Sequence, residues 1–410
     1  MKRVAITGRG IISPIGNNID TVFDSLVSGY SGIKKMNEWR KLEGLNSFIA
    51  GIVEGLEPKK INRRHRRTMG RMAVMASLAT MDAVSDANLT ENDITSSRTG
   101  LVMGSTTGST GAIEEMFGNF IKTGGFNLQE GTTFMKVMSH SIAANVAAML
   151  GIKGRLLAPC SACASSTQAI GLGYETIKDG YQDIMICGGA DDLHSSTAGV
   201  FDILHSASRS YNDTPEKTPK PFDKNRDGLV VSEGSGVVIL EEYERAVARG
   251  AEIYGELAGY GTCCDGRHMT SPSSEAMLSC MNLAMESAGI DASNLDYINA
   301  HATGTILGDI AESDAVRKLV GDNVPISGTK GYTGHTLAAS GAMEVIFCIL
   351  MMQNGVIIPT LNLNDIDENC SGIGHVTQKI DRDLNCIMTS NFAFGGVNAT
   401  LIIKKIIRGR

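Results

Sequence analysis

Residues 160–192 read CSACASSTQAIGLGYETIKDGYQDIMICGGADD. A cysteine-bearing loop enters a helix of small residues, the helix stops at Lys178-Asp179-Gly180, and a short apolar run ends in two glycines. Four to six apolar residues closed by glycine mark a buried strand feeding a tight loop, since a strand covered on both faces needs no polar alternation. The same cadence returns at VAITGRG (4–10), GLVMGSTTGS (100–109), INAHATGT (298–305) and MTSNFAFGG (388–396). Between these strands lie small-residue helices such as SHSIAANVAAML and TLAASGAMEVIFCILMM, and the alternation predicts an α/β fold.

Working outward, the pattern occurs twice. GLVMGSTTGS, the cysteine loop with its helix ending KDG, and DIMICGGADD are followed in the same order by YINAHATGT, GTKGYTGHTLAASG with its helix ending QNG, and CIMTSNFAFGG. Matching order across three units predicts a duplicated core. The seam falls in EEYERAVARGAEIYGE (241–256), which divides the chain into halves 1–250 and 251–410. In this comparison Cys163 and His335 take equivalent places, each where a loop enters a helix.

Composition narrows the class. The chain has 410 residues, 20% of them charged, and a net charge of −7, so no overall basic field invites nucleic acid. Its nine cysteines are odd in number, irregularly spaced and mostly set in apolar runs, as reduced thiols are. The chain opens directly on a strand-like run with no secretory leader, and the apolar stretch around Val345–Met352 is shorter than a membrane span. The expectation is a cytoplasmic protein without membrane insertion.

Chemistry gathers at the glycine-rich strand–helix junctions. Cys163 stands at the start of a helix among Ser161, Ala162, Ala164, Ser165 and Ser166, where unpaired N–H groups and the helix dipole favour thiolate. Cys160, behind Pro159, reads as a buried structural cysteine. The Cys-x-x-Cys spacing lacks the second Cys/His pair that a zinc site needs. His301 follows strand YINA and His335 follows Gly334 at a helix start, where the dipole holds an imidazole neutral and able to donate to a developing enolate. Lys330 and Glu312 offer an ion pair nearby. The stretch DKNRDGLVVSEG (223–234) mimics a calcium loop but has Gly234 where the twelfth-position glutamate belongs, so no calcium site is expected.

Six stretches, taken together and in order, carry a family resemblance over nearly the whole chain: VAITGRGIISPIGN, SACASS, YNDTPEKTPKPFDKNRDGLVVSEGSG, NAHATGTILGD, GTKGYTGHTLAASG and SNFAFGGVNAT. The chain resembles the elongating β-ketoacyl-[acyl carrier protein] synthases, condensing enzymes of thiolase-like fold, and YNDTPEK and RGAEIYGE are more similar to their type I branch. The resemblance implies a duplicated five-layered αβαβα core and an acyltransferase that condenses malonyl with an acyl chain, releasing carbon dioxide, with no metal or redox cofactor. It implies that Cys163 carries the acyl chain and that His301 and His335 bind the malonyl thioester. Lys330 orders the site with Glu312 as partner, and Phe394 gates it, its N–H joining that of Cys163 in an oxyanion hole. Thr303 and Thr305 hold the pantetheine arm, and Thr107 lines the acyl pocket. The implied partners are acyl carrier protein, docked on Arg63, Arg64 and Arg67 with Lys136, and a second copy in a homodimer. The basic segment KKINRRHRRTMGR (59–71) fits an acidic carrier.

The histidine loop departs from the family's usual His-Gly-Thr-Ser-Thr-Pro, with Ala302, Gly304 and Ile306, and Ala393 stands where the gate usually has glycine. A specialised polyene or polyketide pathway therefore stands beside fatty acid synthesis. The alternative in another functional class is a non-catalytic chain-length partner subunit of a heterodimer; such a subunit normally lacks the nucleophile that Cys163 supplies.

Overall fold

Val4–Ile12 (β1) is buried at all nine positions, as the uninterrupted apolar run requires. It starts the first of two copies of one topology in the computed structural model, which describes residues 1–406. The first half adds β2 (Thr99–Gly104), β3 (Leu156–Leu157), β4 (Ile184–Asp191) and β5 (Gly234–Glu242). The second has β6 (Gly255–Cys264), β7 (Tyr297–Ala300), β8 (Pro325–Gly328), β9 (Cys386–Phe392) and β10 (Val397–Lys404). The strands run β3-β2-β4-β5-β1 in the first half and β8-β7-β9-β10-β6 in the second, the same order with every number raised by five. Strand directions match too: β2 is parallel to β3 and β4, as β7 is to β8 and β9, while β5 and β10 run antiparallel to their neighbours. β1 and β6 pair antiparallel over Val4–Ile6 and join the halves into one sheet system.

The helices fall into three layers. α1 (Arg71–Asp86) packs on β1 and β5 of the first sheet, and α4 (Ser274–Ala288) covers β6 and β10 of the second, with α5 (Ile306–Leu319) packed against α4. α3 (Ser165–Lys178) and α6 (Ser340–Asn354) lie between the sheets and touch each other and both of them. The result is the five-layered αβαβα core. α2 (Thr110–Thr123) stands outside it with Phe117, Phe120 and Ile121 exposed.

A middle-layer helix has no solvent face, so α6 is apolar all round. The stretch Leu337–Asn354 is long and apolar enough to cross a membrane, but 89% of it is buried inside the protein. Glu344 is the one charge in that helix. α3 and α6 approach so closely that a Cβ on Gly341 would lie 1.9 Å from Thr167 Oγ1, and only glycine fits there. Their N-terminal ends open on the same side, which is where the candidate site forms. The carboxylates of 223–234 do not converge on a cation: Asp223 and Asp227 accept backbone N–H groups, and Glu233 binds Arg71, Val53 and Leu193.

Candidate active site

Cys163 sits in the 3₁₀ turn Ala162–Ala164 that leads into α3. Ala162 has φ 45°, a left-handed conformation costing a non-glycine residue about 1–3 kcal/mol that the surrounding packing must hold. The Ala164 N–H closes the turn on Ser161 O at 3.1 Å. The second half repeats this: Leu337 has φ 50°, the turn Leu337–Ala339 leads into α6, and the Ala339 N–H donates to Thr336 O at 3.0 Å. Ala338 is therefore the counterpart of Cys163, and His335 that of Cys160. The equivalence of Cys163 with His335 expected from sequence is corrected by three residues, because the strained turn rather than the loop entrance sets the register. Cys160 is exposed, not buried, and its thiol donates to Thr106 O at 3.0 Å.

His335 faces Cys163 across the pseudo-symmetric junction, with Nε2 2.9 Å from Sγ. The Leu337 N–H donates to His335 Nδ1 at 3.3 Å, beside the Ser340 hydroxyl at 3.1 Å, so Nδ1 carries the lone pair and Nε2 the proton. Burial, and then Lys330, hold this imidazole well below the ordinary histidine value. Burial also pushes the Cys163 thiol up to about 12; Lys330 opposes this, and the Asp191 and Glu344 carboxylates add to it. Desolvation of a buried sulfur anion thus works against the thiolate that a helix start favours.

His301 follows β7 directly, and its ring stands edge-on to His335 with centroids 5.3 Å apart. Burial lowers it well below the ordinary value, with Lys330 and His335 acting the same way. Lys330 reaches His301 O at 2.6 Å and Glu344 Oε1 at 2.5 Å. The expected Lys330–Glu312 pair is thus corrected to Lys330–Glu344. Glu312 instead turns both oxygens to backbone, accepting the N–H groups of His301 and Ala302 at 2.7 Å each. That clamp holds Ala302 at φ 39°, and Gly304, at φ 81°, completes the turn between the histidine and α5.

Cys163, His301 and His335 line one cavity of about 440 Å³, together with Thr303, Thr305 and Phe394. The Thr303 and Thr305 hydroxyls hydrogen-bond each other at 2.9 Å. Phe394 is 38% exposed at the mouth, and its ring lies 5.8 Å from that of Phe201. Among the described residues the backbone N–H groups of Cys163 and Phe394 have no protein acceptor. Thr107 is not in this wall; it is exposed, its hydroxyl turned to Gly108 O. Arg63, Arg64 and Arg67 are exposed without a carboxylate partner among the described residues, and half-buried Lys136 packs beside Gly70 at the end of that segment.

Residues 1–246 match the family model for the β-ketoacyl synthase N-terminal domain, and residues 254–364 match that for its C-terminal domain. The chain belongs to the β-ketoacyl synthase family. It is 41% identical over 409 residues to 3-oxoacyl-[acyl-carrier-protein] synthase 1 of Haemophilus influenzae, covering 99% of each chain. The crystal structure of a β-ketoacyl synthase from Burkholderia phymatum superposes with a TM-score of 0.96 at 40% identity, over 99% of this chain and 100% of that one. A ketosynthase in complex with its type II PKS acyl-carrier protein gives a TM-score of 0.91 at 29% identity, over 99% of this chain and 100% of that one.

Within this β-ketoacyl synthase site, Glu344, Asn391 and Asp191 escaped the sequence reading. Glu344 left a signal, a lone carboxylate in an apolar helix, which burial makes costly unless it is paired. Asp191 accepts the Ala338 N–H at 2.9 Å and so steadies the turn opposite Cys163. Asn391 lay in a stretch read only for its glycines and Phe394.

Proposed function

We propose that this ketosynthase elongates acyl chains by decarboxylative condensation of malonyl-[acyl carrier protein], as the relatives named 3-oxoacyl-[acyl-carrier-protein] synthase 1 do in name. One observation carries the assignment: a buried sulfur 2.9 Å from one neutral imidazole, with a second imidazole beside it in the same cavity. A non-catalytic partner subunit would need neither the sulfur nor the two rings.

In the first half-reaction the Cys163 sulfur attacks the thioester carbonyl of the incoming acyl chain. The unpaired N–H groups of Cys163 and Phe394 receive the carbonyl oxygen as it becomes negative. The carbon–sulfur bond to phosphopantetheine breaks, and the thiol's proton ends on the departing sulfur. In the second, malonyl-[acyl carrier protein] loses its carboxylate as carbon dioxide, and the electron pair left behind forms an enolate. Nε2–H donors on His301 and His335 stabilise its oxygen without giving up a full proton. The enolate carbon attacks the acyl group on Cys163, the carbon–sulfur bond breaks, and the Cys163 sulfur leaves as thiolate and takes a proton from solvent. No step calls for a metal or redox cofactor. Although Cys163, His301 and His335 offer donor atoms within 4.8 Å of one another, a metal needs a lone pair, and the Leu337 N–H leaves a proton on His335 Nε2.

Thr303 and Thr305, paired at the cavity wall, present hydroxyls to the amides of the pantetheine arm. Exposed Arg63, Arg64 and Arg67, with Lys136, present positive charge to an acidic carrier protein, the class of partner held by the type II ketosynthase neighbour. The exposed apolar side chains of α2, and Thr107 just before it, support a homodimer that covers them. Nine free cysteines suit the reducing cytoplasm. The halves 1–250 and 251–410 then divide the work, the first supplying Cys163 and the second both histidines.

The test is elongation of carrier-bound acyl chains with malonyl-[acyl carrier protein], read by mass. A two-carbon extension and an acyl adduct on Cys163 are expected. Acylation without extension, or no adduct, overturns the reading.

A further inference from the structure

The two imidazoles of the site are held by different means. His335 Nδ1 is met by a backbone N–H, that of Leu337 at 3.3 Å, together with the Ser340 hydroxyl at 3.1 Å. His301 Nδ1 is met by a side chain: Asn391 Nδ2 lies 3.2 Å from it. Asn391 is fully buried near the end of β9, two residues before the Ala393–Gly396 turn.

Glu344 and Thr167 hold this amide, and Glu344 decides which way it points. Its Nδ2 lies 2.8 Å from Glu344 Oε2, and a carboxylate whose other oxygen is bound by Lys330 Nζ can only accept there. Its Oδ1 accepts the hydroxyl of Thr167, a buried group brought to this point because Gly341 lets α3 and α6 touch. The amide nitrogen has two hydrogens. One goes to Glu344, and the other points at His301 Nδ1. A ring nitrogen that receives an N–H is the one with the lone pair, so in a neutral imidazole the proton is on the other nitrogen.

We propose that Asn391 is a positioning residue: held by Glu344 and Thr167, its amide fixes His301 in the tautomer whose Nε2–H donates to the malonyl thioester oxygen. The inference rests on the condensation proposed above. It also gives the Lys330–Glu344 pair a task at a distance, since that pair sets the amide that sets the ring. Without the amide donor, His301 is free to put its proton on Nδ1 and present a lone pair to the enolate oxygen, which repels it.

Two substitutions separate tautomer control from packing. Asn391→Asp keeps the shape but offers His301 Nδ1 an acceptor, reversing the hydrogen bond. Asn391→Leu removes the donor without imposing an acceptor. Acylation of Cys163, whose oxyanion is received by the backbone N–H groups of Cys163 and Phe394 and not by His301, should stay within about threefold of wild type in both. Condensation with malonyl-[acyl carrier protein] should fall about 100-fold in Asn391→Asp, the loss typical of a missing oxyanion donor, and less in Asn391→Leu. Nitrogen-15 NMR of histidine-labelled wild type, with His301 assigned from its absence in His301→Asn, should show the His301 proton on Nε2; this reading stands whether or not the Asn391 variants fold. The proposal is overturned by a His301 proton on Nδ1, by equal loss of acylation and condensation, or by Asn391→Asp condensing as wild type does. Wild-type enzyme that acylates Cys163 but never condenses malonyl would instead defeat the proposed function.

Discussion

Lys330 Nζ lies 2.5 Å from Glu344 Oε1, with both side chains buried between the two sheets. The same ammonium binds His301 O at 2.6 Å, so one cation ties the strand carrying a histidine to the helix at the centre of the molecule. Removing either partner leaves the other charge stranded in an apolar layer. Lys330→Met or Glu344→Leu should each cost about 3–5 kcal/mol of stability, while the double variant recovers most of that loss. Urea denaturation measures it, and single variants within about 1 kcal/mol of wild type would sink the argument.

The chemistry at Cys163 requires sulfur. Cys163→Ser should keep the fold, since the side chain is nearly isosteric, and lower elongation by about 10³-fold or more, because a hydroxyl without a base is a poor nucleophile. Intact-protein mass spectrometry after incubation with carrier-bound acyl chain should show one adduct on wild type and none on Cys163→Ser. An adduct of equal yield at another residue would move the nucleophile elsewhere.

The pH response follows from the two buried imidazoles. Burial, with Lys330, lowers both values, so both rings stay neutral at pH values where an ordinary histidine is half protonated. A lowered value moves the acid limb to lower pH. The pH profile of kcat/KM for the malonyl substrate should therefore stay flat through about 6.5, the usual histidine value, and fall only below it. Protonation at lower pH puts a hydrogen on Nδ1 against the Leu337 N–H and Asn391 Nδ2. A one-proton limb centred at the usual value would contradict the buried geometry.

Carrier-protein docking is tested by charge. Arg63→Glu with Arg67→Glu should raise KM for acyl-[acyl carrier protein] by about tenfold or more, an effect that shrinks with added salt. KM for a small acyl thioester lacking the protein should not move. Equal changes in both substrates would mean that the segment supports the fold rather than the partner.

Much of this architecture was legible in the sequence because it rests on local signals. Buried strands such as Ile184–Cys187 announce themselves by apolar runs, and their glycines mark the loops that follow. The repeat of three units in order foretold strand orders that match across the halves. Cys163, His301 and His335 stood out as reactive side chains at glycine-rich junctions, and they converge. Partners across distance are not legible in the same way. Glu312 caps the His301 and Ala302 N–H groups, and the partner of Lys330, Glu344, lies inside an apolar helix. The likeness of Cys163 to His335 missed by three residues, since nothing in the letters marks the left-handed Ala162 and Leu337.

By itself, then, the chain's order of residues determined the elements, their duplication and the identity of the reactive groups, because periodicity, glycine placement and side-chain chemistry act over a few neighbours. Which nitrogen of each imidazole meets a donor, which carboxylate meets Lys330, and how strongly burial opposes a charge on Cys163 were decided only in three dimensions. Those outcomes depend on desolvation and on donors such as Leu337 N–H and Asn391 Nδ2, which folding delivers from distant segments into a buried space.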